Sequence, residues 1–409
     1  MSRSMEESLE EAAEGEGEED LVDLADVDGA TIAEAATGEP ETPEGSSDLA
    51  AKLRDAVSGM DLADDAPSIP RGRTRPTTAA TVGHVQETVA PGTPVDDKAA
   101  SHPESNVDLS VEAARGLVLK NPVLTASGTF GQGTEYAELM DVARLGAIVN
   151  KGTTPTARPG NPQYRIAETP SGILNSIGLE NPGAAAVAKK YAKAWAALGV
   201  PVIVNVAGYS VEDYVAVVAE LDGTPSVVAF ELNVSCPNVK GGMLFGSDPE
   251  LAAEVTRAVK AQTDLPVIVK LTPNAPDVVG VARAVEDAGA DAITAINTVL
   301  GMRIDTRRRR PVLGSGSGGL SGPAIRPIAV HITYQVAQAV SIPVIGAGGV
   351  TSAADALEFM MAGASAVQVG TATFADPLAP IGVVEGLAAF VRAEGLGSIR
   401  EIVGTALPR

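Results

Sequence analysis

From about residue 111 onward, short runs of apolar residues alternate with longer segments in which apolar residues recur every three or four positions. The short continuous runs are typical of strands buried on both faces, and the periodic segments are typical of amphipathic helices. This alternation predicts βα units arranged around a parallel sheet. The eight predicted strands span residues 117–124, 147–150, 202–206, 227–234, 267–271, 292–296, 344–346 and 366–369.

Seven predicted helices lie between or after these strands, at residues 184–198, 211–221, 249–262, 277–288, 324–340, 353–362 and 379–392. Ser210, Ser321 and Thr351 precede three of the helices, and we expect their side-chain oxygens to cap free backbone amides. Eight buried strands suit either a closed barrel or a doubly wound open sheet. Polar residues follow nearly every strand instead of collecting at one crevice, which favours an α/β fold of the TIM (β/α)8 barrel type.

The acidic excess of the chain lies almost entirely in its first quarter. Residues 1–110 contain 26 acidic and 7 basic residues, whereas residues 111–409 contain 26 and 23. The first quarter has few large apolar side chains, so burial cannot offset the entropy cost of ordering it. We therefore predict a disordered acidic extension at residues 1–106, with one marginal helix at 49–62, and a barrel domain at residues 107–409. An acidic docking tail is the functional alternative.

Composition also excludes several classes of protein and site. No stretch approaches the ~20 apolar residues of a membrane span, and the N-terminus lacks the basic start and apolar core of a secretory signal. The single cysteine, Cys236, rules out an intrachain disulfide and an iron–sulfur cluster held by this chain alone. We expect a cytoplasmic protein with no metal site. The nearly neutral barrel lacks a clustered basic and aromatic face for nucleic acid, and the basic run at 307–310 is interpreted as a solvated loop.

Polar residues and glycines follow the predicted strands, at the end where a barrel assembles its active site. They are Ser127, Lys151, Asn205, Asn233, Ser235, Cys236, Lys270, Asn297, Thr298, Gly348, Gly349, Gly370 and Thr371. Glycines let backbone amides approach phosphate oxygens, and barrels hold phosphates at the loops after strands seven and eight. We therefore predict a phosphate-bearing ligand beside Gly348, Gly349, Gly370 and Thr371. A purely structural use of glycine in these turns is the alternative.

Cys236 lies just beyond the fourth predicted strand, and Pro237 and several glycines follow it on a loop that could cover the barrel mouth. A thiol can act as a base if its surroundings move its pKa from about 8.5 toward the working pH. The three histidines lie in the extension or inside a helix, so no partner set suits nucleophilic acyl transfer. Proton abstraction is the favoured role, and an inert buried thiol is the alternative.

Two lysines and several asparagines add binding chemistry at the same end. Lys151 and Lys270 could anchor a carboxylate, stabilise negative charge on a flavin, or form a Schiff base. Asparagines offer two donors and an acceptor each, which suits a flat imide ring with alternating donors and acceptors. The asparagines concerned are Asn175, Asn205, Asn233 and Asn297. A Schiff-base aldolase built on Lys270 and a non-catalytic phosphate-binding scaffold both stay open at this point.

Several segments, taken in order, carry a resemblance to a known family. They are Lys120-Asn-Pro-Val-Leu-Thr-Ala-Ser-Gly-Thr-Phe-Gly, Lys151-Gly-Thr-Thr, Asn175-Ser-Ile-Gly-Leu, Asn181-Pro-Gly, Asn205-Val-Ala-Gly, Glu231-Leu-Asn-Val-Ser-Cys-Pro-Asn, Val269-Lys-Leu-Thr-Pro-Asn, Ile296-Asn-Thr, Gly318-Gly-Leu-Ser-Gly-Pro, Gly346-Ala-Gly-Gly and Gly370-Thr. Across residues 108–409 the chain resembles the class 1 dihydroorotate dehydrogenases, and within them the NAD-linked class 1B branch.

The resemblance implies oxidation of dihydroorotate to orotate in pyrimidine biosynthesis, with FMN as cofactor and Cys236 as the base. The FMN contacts that it implies are Ser127, Lys151, Gly152, Asn205, Asn233, Lys270, Ile296, Gly322, Gly348, Gly349, Gly370 and Thr371. The substrate contacts that it implies are Lys151, Asn175, Ser176, Ile177, Gly178, Leu179, Asn233, Asn297 and Thr298. It also implies a partner subunit with FAD and an iron–sulfur cluster, bound to a homodimer of barrels in a heterotetramer.

The nearest alternatives are a dihydropyrimidine dehydrogenase catalytic subunit and a fumarate-linked class 1A enzyme. Uracil lacks a carboxylate, so Lys151 and the segment 175–179 favour orotate. The Thr129-Phe130 pair and the stretch at 240–242 resemble class 1B. The acidic extension has no counterpart in the family and inherits no role from it, and the loop at 314–318 differs slightly from the usual version.

Overall fold

The computed structural model describes residues 107–235 and 245–408. The extension at 1–106, including the helix predicted at 49–62, and Cys236 lie outside the described residues. The strands are β1 Val111–Ala114, β2 Leu117–Leu119, β3 Val123–Thr125, β4 Ile148–Val149, β5 Ile166–Thr169, β6 Gly172–Asn175, β7 Val202–Val206, β8 Val227–Asn233, β9 Val267–Lys270, β10 Ala292–Ala295, β11 Val299–Gly301, β12 Ile304–Asp305, β13 Arg310–Pro311, β14 Gly318–Ser321, β15 Val344–Ala347 and β16 Ala366–Val369. The helices are α1 Ala184–Leu198, α2 Val211–Leu221, α3 Pro249–Lys260, α4 Val278–Asp287, α5 Arg326–Ala339, α6 Ala353–Met361, α7 Ala372–Ala375 and α8 Ala379–Glu394.

Eight strands form a parallel barrel, as the sequence predicts. Their spatial order is β3, β16, β15, β10, β9, β8, β7 and β4. The two end strands also meet: Leu124 bridges Ala147 in parallel, and the amide of Gly146 donates to the carbonyl of Val123 at 2.9 Å. The sheet therefore closes on itself, and the strands direct their C-terminal ends to one mouth.

The barrel strands are buried along nearly their whole length, and the helices cover them with one apolar face each. In α3, Asp248 caps the first turn, Pro249 takes the first helical position, and Val255 and Val259 lie on the buried face. Proline at that position costs no hydrogen bond, because the first amides of a helix have no partner within it. The spacing of four between the two valines is the period of a single helix face.

Three details of the predicted elements are wrong: one strand is divided, and two of the three predicted caps are misplaced. The predicted strand at 117–124 is two strands, because Pro122 has no N–H and the side chain of Asn121 bonds to the carbonyl of Arg144 and the amide of Val123. Among the predicted caps, Ser210 is confirmed, since its side chain accepts from the amide of Asp213. Ser321 instead lies in strand β14, so it caps no helix.

The third predicted cap is displaced by one residue. Ser352, not Thr351, is the N-cap of α6, where it forms a capping box with Asp355. The hydroxyl of Thr351 donates to the same carboxylate at 2.6 Å.

Residues inserted after β4 and β10 build a second sheet that sequence periodicity does not predict. This four-stranded antiparallel sheet has the order β11, β14, β6, β5. Its strands are short and contain several glycines, which weaken any strand pattern in the sequence. Both insertions leave the C-terminal ends of barrel strands, so the sheet lies on the side of the mouth. In the described part of the chain, no helix is long and apolar enough to span a membrane.

Candidate functional site

Four glycines after the last two barrel strands and beside α5 leave an open cradle of backbone. Gly322, Gly348 and Gly349 have φ angles of 96°, 131° and 77°, which side chains rarely adopt. A Cβ placed on Gly349 would lie 2.8 Å from the carbonyl oxygen of Gly322, and one on Gly370 would lie 3.0 Å from the Cβ of Ala126. Any larger residue would collide with these neighbours, so the glycines let the backbone segments approach closely, with no side chain of their own over the amides that an anion would meet.

The helix that opens toward this cradle is α7, not α6. In α6 the carboxylate of Asp355 already accepts from the amides of Thr351 and Ser352. Helix α7 begins directly after Thr371, which makes no side-chain cap bond. Thr371 instead donates from its hydroxyl to Ser321 at 2.8 Å. In α7 the amides of Thr373 and Phe374 donate to the carbonyls of Gly370 and Thr371, so among the described residues the amides of Thr371 and Ala372 are the ones that can meet a phosphate. A short helix after the eighth strand is the usual place for a phosphate in this fold.

A chain of buried polar side chains crosses the barrel interior below the mouth. Lys270 donates to Gln368 at 2.7 Å, and Gln368 donates to the carboxylate of Glu231. Glu231 also accepts from Asn205 at 2.8 Å and from Thr294 at 2.9 Å. Glu231 is fully buried, and the ammonium of Lys270 lies 3.6 Å from its carboxylate. The barrel interior therefore holds an ion pair, Lys270 with Glu231, and neighbouring side chains form most of the other hydrogen bonds to these two groups.

One acceptor in this group has no partner. The side-chain oxygen of Asn205, Oδ1, is buried and makes no hydrogen bond to the described residues. A Cβ placed on Gly152 would lie 3.0 Å from this oxygen and 3.6 Å from the side chain of Leu179. Because a buried acceptor without a donor is costly, the oxygen is suited to a ligand that brings an N–H.

Lys151 lies two residues beyond β4, with its side chain half-buried. Burial lowers the pKa of Lys151 below the ordinary lysine value, with a smaller lowering from Arg165 that is opposed by Glu180. Within the described ranges, Lys151 forms no ion pair with a carboxylate, whereas Lys270 pairs with Glu231. Of the two lysines, Lys151 is therefore the one whose ammonium group is available to an anionic ligand.

Two asparagines predicted to bind substrate contact each other at the ends of β8 and β10. Asn297 donates to the side-chain oxygen of Asn233 at 3.1 Å and to the hydroxyl of Ser235 at 3.0 Å. The amide of Thr298 donates to Asn297 at 2.8 Å. These bonds fix which atoms of both amides face outward. Ser235 is the last described residue before the segment that contains Cys236.

The four-stranded sheet adds a second wall to the mouth. Its register places Asn175 on β6 opposite Gly319 on β14, and the side chain of Asn175 donates to the Gly319 carbonyl at 3.2 Å. Thr298 packs where a Cβ on Gly319 would lie. Ser321, two residues from Gly319 on the same face, accepts from Thr371. The sheet thus links the predicted substrate residues to the glycine cradle.

The loop after β6 has a tightly held backbone. Gly178 and Leu179 have positive φ angles of 76° and 57°. Asn181 holds the turn by donating to the carbonyl of Leu179 at 2.7 Å, and the carbonyl of Ile177 accepts from Asn161. The hydroxyl of Ser176 is buried without a partner among the described residues. Hydrogen bonds within the protein therefore hold the backbone of this loop, and the Ser176 hydroxyl is available to bond to a ligand.

All predicted site residues except Cys236, which lies outside the described ranges, surround the C-terminal mouth. Ser127 follows Ala126 on the side of the cradle, and the amide of Ile296 donates to Ala347 at 2.9 Å. Sequence reasoning missed Glu231, Thr294 and Gln368. The sequence contains a signal for them, since each is a polar residue within an otherwise apolar strand. A buried polar side chain needs a hydrogen-bond partner, so such residues are expected to bond to one another in the core.

The site is thus divided into three parts: a cradle for an anion, a buried acceptor near Gly152, and an amide-rich wall beside Lys151. This arrangement suits a ligand with a phosphate and a flat ring that has an N–H, next to a second ligand that is anionic. The described residues contain no cluster of side chains suited to a metal ion.

Comparison with known proteins identifies relatives over the whole barrel. Residues 109–391 match the family described as dihydroorotate dehydrogenase. A protein of Desulforamulus reducens named dihydroorotate dehydrogenase B (NAD(+)), catalytic subunit, is 54% identical over 287 residues, which cover 70% of this chain and 94% of the relative. Proteins of the same name from Anoxybacillus flavithermus and Geotalea uraniireducens are 53% and 51% identical, over 71% and 73% of this chain and 93% and 97% of theirs.

Proposed function

Because the chain belongs to the dihydroorotate dehydrogenase family, we propose that it oxidises dihydroorotate to orotate in pyrimidine biosynthesis. The enzyme is a flavin-dependent oxidoreductase, and FMN is the flavin that its site suits. The observation that carries the choice of FMN is the pairing of a glycine cradle with a buried, unpartnered acceptor at Asn205. The cradle suits the phosphate, and the Asn205 oxygen suits the N–H of the isoalloxazine ring.

The residues of this chain have separate tasks in the proposed mechanism. Oxidation of a CH–CH bond to a double bond removes a proton and a hydride from the substrate. Cys236 would take the proton, and bound FMN would supply the hydride acceptor. Lys151, free of a carboxylate partner among the described residues, would bind the substrate carboxylate. Asn175, Asn233 and Asn297 would hold the ring, since their bonds to neighbours fix their amide orientations.

The test of this function uses the purified chain alone. Its absorption spectrum should show bound flavin, and the extracted flavin should be FMN by chromatography. Dihydroorotate should bleach the flavin, and an artificial dye should restore it. Loss of bleaching with dihydroorotate but bleaching with dihydrouracil would reassign the chain to dihydropyrimidine oxidation. A colourless protein that binds no added FMN would contradict the proposal.

The relatives are named as catalytic subunits, so another subunit completes them. We propose that this chain likewise passes electrons to a partner with FAD and an iron–sulfur cluster, and that a dimer of barrels forms the centre of a heterotetramer. One cysteine cannot ligate a cluster, and no Gly-x-Gly-x-x-Gly segment opens a βαβ unit for NAD. The isolated chain should reduce a dye but not NAD, and NAD reduction should appear when the partner is added. Rapid NAD reduction by the chain alone would refute the partner, and efficient fumarate reduction would indicate the class 1A type.

A further inference from the structure

In the buried chain of polar side chains inside the barrel, Lys270 determines which atoms donate hydrogen bonds and which accept them. An ammonium group only donates, so the Lys270 bond at 2.7 Å must end on the oxygen of the Gln368 amide. The nitrogen of that amide therefore faces Glu231 and donates to its Oε2 atom. Thr294 donates to the same oxygen at 2.9 Å. The other oxygen, Oε1, faces Asn205, with the ammonium of Lys270 3.6 Å away.

A carboxylate only accepts, so Asn205 must present its nitrogen to Glu231. The observed bond from Asn205 Nδ2 to Glu231 Oε1 is 2.8 Å. The other end of the same amide, Oδ1, is then turned toward Gly152, where it is buried and has no partner among the described residues. The orientation of this free acceptor follows from the hydrogen bond that Asn205 donates to the Glu231 carboxylate, and not from packing alone.

We infer that Glu231 is a positioning residue that makes the flavin site selective for a ring N–H. It does so by holding the Asn205 amide with its oxygen toward the ligand. This inference rests on the proposed function, because it takes FMN as the ligand. Oxidised isoalloxazine has a single ring N–H, at N3. A methyl group on N3 removes that donor and leaves the Asn205 oxygen buried without a partner, which weakens binding.

The substitution Glu231→Gln separates this role from simple packing. Glutamine has nearly the same shape as glutamate, but one of the two terminal atoms of its side chain is a nitrogen that donates hydrogen bonds. The donors from Thr294 and Gln368 hold the Gln oxygen at the Oε2 position, so the Gln nitrogen faces Asn205. Asn205 must then turn its oxygen inward and its nitrogen toward the ligand. The flavin N–H would meet a donor instead of an acceptor.

The experiment titrates apoprotein with FMN and with 3-methyl-FMN and follows quenching of flavin fluorescence. The wild type should bind FMN at least about tenfold more tightly than 3-methyl-FMN. This is the loss of affinity expected when a buried acceptor has no donor. In Glu231→Gln, FMN should bind about tenfold more weakly and the preference for FMN should disappear. Glu231→Gln with the wild-type preference would overturn the inference. Wild-type protein that binds neither flavin would instead contradict the proposed function.

Two further variants distinguish positioning from stability. Asp291→Asn also removes a carboxylate that pairs with a lysine, Lys260 at 2.7 Å, but at the N-terminal end of the barrel strands, and it should keep the wild-type preference. Glu231→Asp retains an acceptor-only group, so it should keep the preference for FMN even with a lower affinity. If Glu231→Gln fails to fold, Asn205→Ala decides the question, because a retained preference for FMN in that variant would also overturn the inference.

A double-mutant cycle tests whether Glu231 acts through Asn205. Asn205→Ala removes the amide, so it should bind FMN and 3-methyl-FMN about equally. Adding Glu231→Gln to Asn205→Ala should then change the ratio of the two affinities by less than about twofold. A further change in the ratio, equal to that seen for Glu231→Gln alone, would show that Glu231 acts by another route.

Discussion

Lys151 lies just beyond β4 and Lys270 is the last residue of β9, so both lie at C-terminal ends of barrel strands, but their surroundings differ. Lys270 is buried, donates to Gln368 and lies 3.6 Å from Glu231, so its charge is already balanced. Lys151 has no such partner in the described ranges, and burial is the main reason that its pKa is lowered. Two residues that look equivalent in the sequence therefore differ in what they can still bind.

Replacing Lys151 with Ala should weaken orotate binding about tenfold or more, because a charge-assisted hydrogen bond contributes roughly 1.5–3 kcal/mol. Titration of the flavin spectrum with orotate measures this. Lys189→Ala, which removes an exposed lysine on α1, is the matched control and should bind orotate normally. Equal affinities in both variants would exclude Lys151 from the site.

The pH dependence of orotate binding should follow the lowered pKa of Lys151. Only the protonated ammonium attracts a carboxylate, so affinity should be full below that pKa and fall as the pH rises through it, starting below the ordinary lysine range. Lys151→Met should remove this fall. The same pKa shift makes folding stability change with pH in the opposite direction. A lysine pKa that is lower in the folded than in the unfolded state destabilises the folded protein at neutral pH. This destabilisation fades as the pH rises through the interval between the two pKa values.

Cys236→Ala should keep FMN and slow flavin reduction by dihydroorotate about 10² to 10⁴-fold, because a positioned base typically contributes that much. Stopped-flow absorbance measures the rate. Cys236→Ser should fall between Ala and the wild type, since a hydroxyl is a poorer base at neutral pH. A rate for Cys236→Ala within threefold of the wild type would exclude the thiol as the base.

At the scale of elements, the loops carry the site and the barrel holds them in place. The last two strands end in glycines that leave the cradle open, and the four-stranded sheet brings Asn175 and Thr298 against Gly319. Each of these loops leaves a strand that is buried and hydrogen-bonded on both sides. The positions of the loop residues are therefore determined by strand register.

Gly349→Ala should reduce FMN affinity, because its Cβ would lie 2.8 Å from the Gly322 carbonyl oxygen in a backbone conformation with φ of 77°. Gly223 has a φ of 76° and nothing within 4 Å of a built Cβ, so Gly223→Ala has the same backbone strain without the close approach. FMN titration of both variants isolates the cradle. Equal affinities would mean that the close approach at Gly349 does not matter for binding.

At the scale of the whole molecule, the chain combines a barrel of nearly balanced charge with an acidic first quarter that the sequence predicts to be disordered. The barrel strands and helices share one core, which includes Val123 on β3, the first strand of the barrel, and Leu387 on the last helix. A core of this kind should be stable without the extension.

Deleting residues 1–105 should leave FMN content unchanged and shift the melting temperature only slightly, because a segment with few large apolar residues contributes little to a core. Thermal melts of the full and shortened proteins measure the shift. A fall of more than about 8 °C would show that the extension packs on the barrel.

The sequence alone determined the barrel and the end of it where chemistry occurs. Strand and helix periods are local properties, and a residue that follows a barrel strand must lie at the mouth whatever the details of packing. The predicted helices at 184–198 and 211–221 match α1 and α2 to the residue.

The tertiary structure alone decided which of these residues touch. Asn175 meets Gly319 across 144 residues of chain, and Lys270 meets Gln368 across 98. Such pairs depend on strand register and barrel closure, which no local pattern records. The same holds for Glu231, which appears in the sequence as one polar residue in an apolar strand. Its effect on Asn205 arises because the closed barrel brings donors from three other strands to a single carboxylate.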